Sequence, residues 1–211
     1  MSFLSSSAGS LGFSVPDGFE VRRALGSHPF VVGRLPSELE ARGREGFEAL
    51  WALHPAEFHP VRQPFTGKTI PLPRWQQAYE RDYKYTGSTN RALPLPDALR
   101  PWVEWAQGAI LSELNGVLLN WYDSDEGHYI GPHRDSRAGL RVGSPIVTIS
   151  LGARRVFRLS AAGVASEDHE AGHGAVFVLP WATNLAIKHS VPQARVDERG
   201  RRISITLRAF G

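Results

Sequence analysis

Residues 169–173, His-Glu-Ala-Gly-His, carry the spacing H-E-x-x-H, in which two histidines one helical turn apart can hold zinc while the glutamate serves as a base. That chemistry needs a helix. Gly172 and Gly174 flank the second histidine, no apolar periodicity surrounds the motif, and Gly174-Ala-Val-Phe-Val-Leu-Pro180 reads as a strand. The segment is therefore expected to be a polar hairpin. A second pair, His133 and Asp135 in Gly-Pro-His-Arg-Asp-Ser, is separated by one residue, which on a strand turns both side chains to one face. His189 in Ile-Lys-His-Ser-Val-Pro lies 54 residues past Asp135 on another expected strand and can complete a set of two histidines and one carboxylate. Such a set occupies one side of Fe(II) and leaves the opposite positions open for a co-substrate and oxygen. His169 and His173 are rival ligands that spacing alone does not eliminate.

The stretch 202–208, Arg-Ile-Ser-Ile-Thr-Leu-Arg, alternates without exception. Arg202, Ser204, Thr206 and Arg208 share one face, and Ile203, Ile205 and Leu207 the other. With the apolar face against helices or a second sheet, both guanidinium groups point inward, where a charge is costly unless an anion accompanies it. Guanidinium matches carboxylate bidentately, so a bound dicarboxylate is the reading these residues favour. Asn120 and Tyr122 share a face of Leu-Leu-Asn-Trp-Tyr and can donate hydrogen bonds to the same anion, while Leu119 and Trp121 face away.

The elements that must position these groups divide the chain. Apolar spacing predicts an amphipathic helix over 36–53 and a stronger one over 96–115, with Asp97 as N-cap and Pro101 in the first turn. The Pro-, Gly- and aromatic-rich stretch between them reads as loops and short strands able to carry binding residues. From 116 onward, seven short β-type runs with no helices between them argue for an antiparallel sandwich or barrel. The expected architecture is α+β, with a mobile tail over 1–15, one domain over 16–211 and its β core over about 116–211. Zero cysteines exclude disulfides, Cys-bound zinc and a thiol nucleophile. A net charge of +3 and a pI near 9.5 hint at an anionic partner. Neither a signal-peptide pattern nor a membrane-length apolar run is present, so a soluble cytoplasmic protein with no membrane contact is expected.

Taken in order, N-W-Y at 120–122, H-R-D at 133–135, SPIVTISLG, H-S-V-P at 189–192 and R-x5-R at 202–208 resemble the AlkB family of Fe(II)/2-oxoglutarate dioxygenases. PRWQQAYERDYKYTGS is similar to the substrate-recognition segment of the animal homologues that repair alkylated DNA, so the resemblance covers 60–211. It implies a double-stranded β-helix, or jelly-roll, core with N-terminal helices and a substrate-recognition loop and hairpin region. It implies that His133, Asp135 and His189 ligate Fe(II) and that Arg202 with Tyr122 holds the distal carboxylate of 2-oxoglutarate. Arg208 with Asn120 would lie near the metal-chelating carboxylate, and Ser204 stands where the family has Asn. With O2 as the other co-substrate, an N-methyl group is hydroxylated and leaves as formaldehyde. The implied substrate is an alkylated base such as 1-methyladenine or 3-methylcytosine, in single- or double-stranded nucleic acid. Tyr83 or Tyr85 would stack on the flipped base, and Arg74 would contact phosphate. Ser136 and Arg137 replace the acidic pair of the repair enzymes, and Arg137 would repel a cationic base. That departure motivates the alternative of hydroxylating a small molecule or protein side chain. The enzyme is expected as a monomer in the cytoplasm, at the nucleoid or in the nucleus if it acts on DNA. Replacing His133 or Asp135 is expected to abolish iron binding and leave the fold intact.

Overall fold

Short β-branched and aromatic runs separated by Gly, Pro and Asp become sixteen strands in the computed structural model, which describes residues 11–62, 66–85 and 88–211, Tyr85 by its backbone alone. β1 (Glu20–Ala24) and β2 (His28–Arg34) form a hairpin and lead to α1 (Ser37–Glu45) and α2 (Phe47–Trp51). The proline-rich middle holds β3 (Pro60–Arg62), β4 (Thr69–Pro71), β5 (Trp75–Tyr79), β6 (Tyr83–Tyr85), β7 (Ser88–Asn90) and β8 (Ala92–Leu93). α3 (Arg100–Ala109) follows a single 3-10 turn. The remainder runs β9 (Gly116–Asp123), β10 (Ile130–His133), β11 (Ile146–Gly152), β12 (Arg155–Ser160), β13 (Glu167–Ala171) and β14 (Ala175–Leu179). It closes with α4 (Trp181–Ala186), β15 (Lys188–Val191) and β16 (Arg201–Arg208).

An eight-stranded sheet in the order β1-β2-β14-β11-β16-β9-β5-β8 faces a four-stranded one, β10-β15-β12-β13, as in a jelly roll. Phe157, Leu159 and Val191 of the smaller sheet pack against Tyr122, Ile146 and Phe177 of the larger. The other face of the large sheet buries Leu119, Trp121, Ile203, Ile205 and Leu207 against the helices, as the alternation in β16 requires. Trp121 anchors that seam: it is fully buried, and its Nε1–H donates to the Leu50 carbonyl of α2 at 2.9 Å. Burying one such ring stabilises the fold by ~2–3 kcal/mol.

The structure corrects five points of this reading. The helix over 36–53 is broken at Gly46 into α1 and α2, and the helix over 96–115 ends at Ala109. Asp97 makes no cap; it pairs with Arg100 at 2.8 Å. The β1–β2 hairpin, whose mixed polar sequence hid it, extends the large sheet through β14. α4 stands between β14 and β15 where no helix was expected. Of the expected tail, 1–10 lie outside the described residues, while Leu11, Phe13 and Val15 pack on the core and Ser14 N–H donates to Ile110 O at 2.9 Å. Among the described residues no helix is long and apolar enough to cross a membrane.

Candidate metal centre and anion pocket

Antiparallel pairing of β10 with β15 places His133 directly opposite His189, with ring centroids 4.3 Å apart. Asp135 lies beyond the end of β10, so strand alternation is not what delivers it. Asn184 of α4 clamps its backbone instead: Asp135 N–H donates to Asn184 Oδ1 at 3.0 Å, and Asn184 Nδ2 donates to Asp135 O at 3.3 Å. The carboxylate then faces both rings, Oδ1 standing 3.6 Å from His133 Nε2 and 3.7 Å from His189 Nε2. Arg208 donates to the other oxygen, Oδ2, from Nε at 3.0 Å and Nη2 at 2.6 Å, and the Tyr83 hydroxyl donates to Oδ1 at 3.3 Å.

Protonation follows from these contacts. His133 Nδ1–H lies 2.9 Å from the Gly131 carbonyl, which assigns the proton to Nδ1 and leaves the Nε2 lone pair facing Asp135. Burial, reinforced by His133, pushes His189 down to about 3, so its ring is neutral. Burial opposes ionisation of Asp135, yet Arg208, and then His133 and His189, hold its carboxyl well below the usual range. Two imidazole nitrogens and one carboxylate oxygen, all within 4.8 Å of one another, form a donor set that fits Fe(II) with one side open.

The anion subsite lies on the same face of the large sheet. Arg202 is fully buried; its Nε donates to Ser150 Oγ at 2.8 Å, while Nη1 and Nη2 have no hydrogen-bond partner among the described residues. Burial pushes this guanidinium down to about 10. Its carbon lies 5.2 Å from the Tyr122 ring centroid. A cavity of about 630 Å³ joins Arg202, Tyr122, Asn120 and Ser204 to the metal ligands and Arg208. An unsatisfied buried cation at one end and a metal set at the other suit a molecule with carboxylates at both ends.

The family model of the 2OG-Fe(II) oxygenase superfamily matches residues 52–208. The chain belongs to this family. The oxygenase is 30% identical over 154 residues to the DNA oxidative demethylase ALKBH2 of Homo sapiens, covering 67% of this chain and 58% of that protein. To the Bos taurus protein of the same name it is 30% identical over 157 residues, covering 67% and 55%. It thus spans little more than half the length of these curated relatives. A solved structure titled "The structure of OsALKBH1" shares the fold, with a TM-score of 0.58 at 14% identity, covering 90% of this chain and 99% of that one. Membership in this superfamily implies Fe(II), 2-oxoglutarate and O2, and the set His133, Asp135 and His189 fits the metal.

Other residues of the oxygenase stand elsewhere than expected. Arg74 is not a surface cation but 4% exposed within the cavity wall, donating from Nε to Asn120 Oδ1 at 2.8 Å. Gln76 Nε2 donates to the same oxygen at 3.0 Å, so Asn120 has its Nδ2 left to give an anion. Tyr83 is buried but lines the cavity; its hydroxyl supports Asp135, and the Arg208 guanidinium carbon lies 4.4 Å from its ring centroid. Tyr85 pairs opposite Ser88 in a hairpin, and its side chain lies outside the described residues. Ser136 lines the cavity, whereas Arg137 is exposed and outside it, so the expected repulsion does not come from Arg137. Arg134 lines the cavity instead, its Nη2 donating to Ala186 O at 2.8 Å.

The H-E-x-x-H segment is the β13–β14 hairpin. Gly174, at φ +80°, makes its turn where a Cβ would run into Glu40. His173 accepts from Gly152 N–H at 3.0 Å through Nδ1 and donates from Nε2 to Glu40 O at 2.8 Å, so neither nitrogen is left for a metal. His169 packs against Phe30, centroids 4.8 Å apart, on the same hairpin.

Arg155 and Asn184 escaped sequence reasoning. Arg155 is fully buried and donates from Nη2 to His128 O at 2.9 Å and Pro192 O at 2.5 Å, tying the loop before β10 to the chain leaving β15. Its signal was the inward alternation Arg155, Phe157, Leu159. Asn184 carried no signal, because α4 itself was not expected.

Proposed function

We propose that this oxygenase oxidatively demethylates alkylated nucleic-acid bases, with His133, Asp135 and His189 holding Fe(II) and with 2-oxoglutarate between Arg202 and Arg208. The observation that carries the reading is a group of exposed cations on the two hairpins that adjoin the cavity. Val61 and Tyr83 belong to the cavity wall, while Arg62, Lys68 and Lys84 beside them on two hairpins are exposed. Ser88 Oγ, which donates to Pro60 O at 3.0 Å, ties those hairpins together. Such exposed cations suit a phosphate backbone, and the activity for which the curated relatives are named agrees with it.

When bound, iron and 2-oxoglutarate supply oxidation by O2: one oxygen atom ends in succinate as CO2 leaves, and the other enters the N-methyl group. The protein's own residues do the placing. Arg202 and Tyr122 grip the distal carboxylate, which neutralises a cation that is otherwise buried unpaired. Arg208 occupies Asp135 Oδ2, leaving Oδ1 to the metal, and the Gly131 carbonyl fixes the His133 ring. Leu72, Leu118, Tyr129 and Ile130 give the mouth an apolar wall that limits water. The hydroxymethyl base then loses its hydroxyl proton as the N–C bond breaks; the electron pair stays on the ring nitrogen, which takes up that proton if the base was neutral, and formaldehyde departs.

Mass analysis of singly methylated oligonucleotides after incubation with the protein, Fe(II) and 2-oxoglutarate tests this directly. Loss of the methyl group supports the reading. Iron-dependent succinate formation that leaves every oligonucleotide intact would move the substrate to a small molecule or protein side chain.

A further inference from the structure

The cavity of the oxygenase is lined by four arginines, Arg74, Arg134, Arg202 and Arg208, against one carboxylate, Asp135. Asp135 is committed to Arg208 and the metal set, and a 2-oxoglutarate dianion would offset Arg202 and only half of the ferrous charge. Arg74 and Arg134 keep their charge uncompensated: among the described residues neither forms an ion pair, and they donate to the Asn120 amide oxygen and the Ala186 carbonyl. The undescribed segments bring no remedy, since 1–10, 63–65 and 86–87 contain no acidic residue.

Ring alkylation at N1 of adenine or N3 of cytosine makes the base a cation near neutral pH, whereas the same change at N1 of guanine or N3 of thymine leaves it neutral. The buried guanidinium of Arg74, 4% exposed, repels the first class, and the exposed Arg134 adds a weaker, solvent-screened repulsion. Guanidinium is also a donor with no acceptor, so it meets the carbonyl oxygens of a lactam base and has nothing to offer an exocyclic amino group.

Resting on the nucleic-acid reading above, we propose that the preferred substrate is an uncharged N-alkylated lactam base, of the 1-methylguanine or 3-methylthymine type, rather than a cationic alkylated base. Ser136, on the cavity wall at the position following Asp135, is the specificity-determining residue where one carboxylate would reverse the preference.

The experiment uses four single-stranded oligonucleotides of one sequence carrying 3-methylthymine, 1-methylguanine, 3-methylcytosine or 1-methyladenine, with the iron-loaded full chain and its Ser136→Asp variant. The neutral pair is expected to be demethylated at least about tenfold faster by kcat/KM, and Ser136→Asp to shift the ratio toward the cationic pair by about tenfold. Equal or faster turnover of the cationic pair by the unaltered chain overturns the proposal while leaving the nucleic-acid reading standing. Iron-dependent succinate formation with no oligonucleotide demethylated overturns that reading, and the proposal with it. If Ser136→Asp fails to fold, the comparison of the four oligonucleotides with the unaltered chain still decides.

Discussion

Replacing Arg202 by Met should improve the empty protein while ruining its use of 2-oxoglutarate. Burial lowers this fully buried guanidinium to about 10, which sets the cost of keeping it charged inside at roughly 3 kcal/mol. The sign follows from the direction. Because the folded value lies below the unfolded one, the cost is fully present at neutral pH and would fade only as pH rises beyond 10 toward the unfolded value. Met keeps much of the stem packing under Tyr122 and discards the charge, so only the bond to Ser150 Oγ is lost, worth ~1 kcal/mol. The net gain is roughly 1–3 kcal/mol, or a rise of ~3–8 °C in Tm for a chain of this size. The same change removes the cation that holds the distal carboxylate, a loss of ~2–4 kcal/mol or about 30- to 1000-fold in affinity. Thermal unfolding with and without 2-oxoglutarate reads both effects: the variant should melt higher alone and respond far less to the ligand. A variant that melts lower and still gains the full ligand shift would refute the reasoning.

Asp135→Asn strips the metal set of its anion and leaves Arg208 buried without a partner. Contrary to the expectation from sequence that the fold would be untouched, urea unfolding should show a loss of ~3–5 kcal/mol alongside lost activity. His173→Ala should cost ~1–2 kcal/mol through the Gly152 and Glu40 contacts with iron affinity unchanged, as metal titration would show. Arg155→Met should raise KM for 2-oxoglutarate severalfold with a smaller change in kcat; unaltered KM would remove Arg155 from the positioning of the pocket. For pH, His189 is neutral in the fold down to about 3, while an unfolded histidine titrates near 6.5, so its stabilising contribution is present above that value and is lost as pH falls. Metal-free protein should therefore lose at least ~1.4 kcal/mol from this residue between pH 7.5 and 5.5. His59, His128 and His169, lowered by burial too, act in the same direction, and a urea midpoint that held steady at pH 5.5 would contradict the assignment.

What could be read beforehand was whatever obeys a local period. β16 announced its inward face because a two-residue period separates Arg202 and Arg208 from Ile203 and Ile205 whatever the partners are. The glycines around His173 likewise argued against a helix from the chain alone. Asp135 reached the right place for a different reason: the strand ends before it, and Asn184, from a helix the sequence did not announce, turns it inward. Arg74 looked like a loop cation because its burial depends on Asn120, 46 residues away, and Tyr83 looked like a stacking face because nothing local reveals Arg208 lying over it. Tertiary partners distant in sequence decide such positions, and propensity does not report them.

The most direct test of the account counts products. Incubated with Fe(II), 2-oxoglutarate, O2 and a methylated oligonucleotide, the protein should form succinate and formaldehyde in equal amounts, both abolished in His133→Ala. Succinate without matching formaldehyde, or turnover that survives His133→Ala, would contradict it.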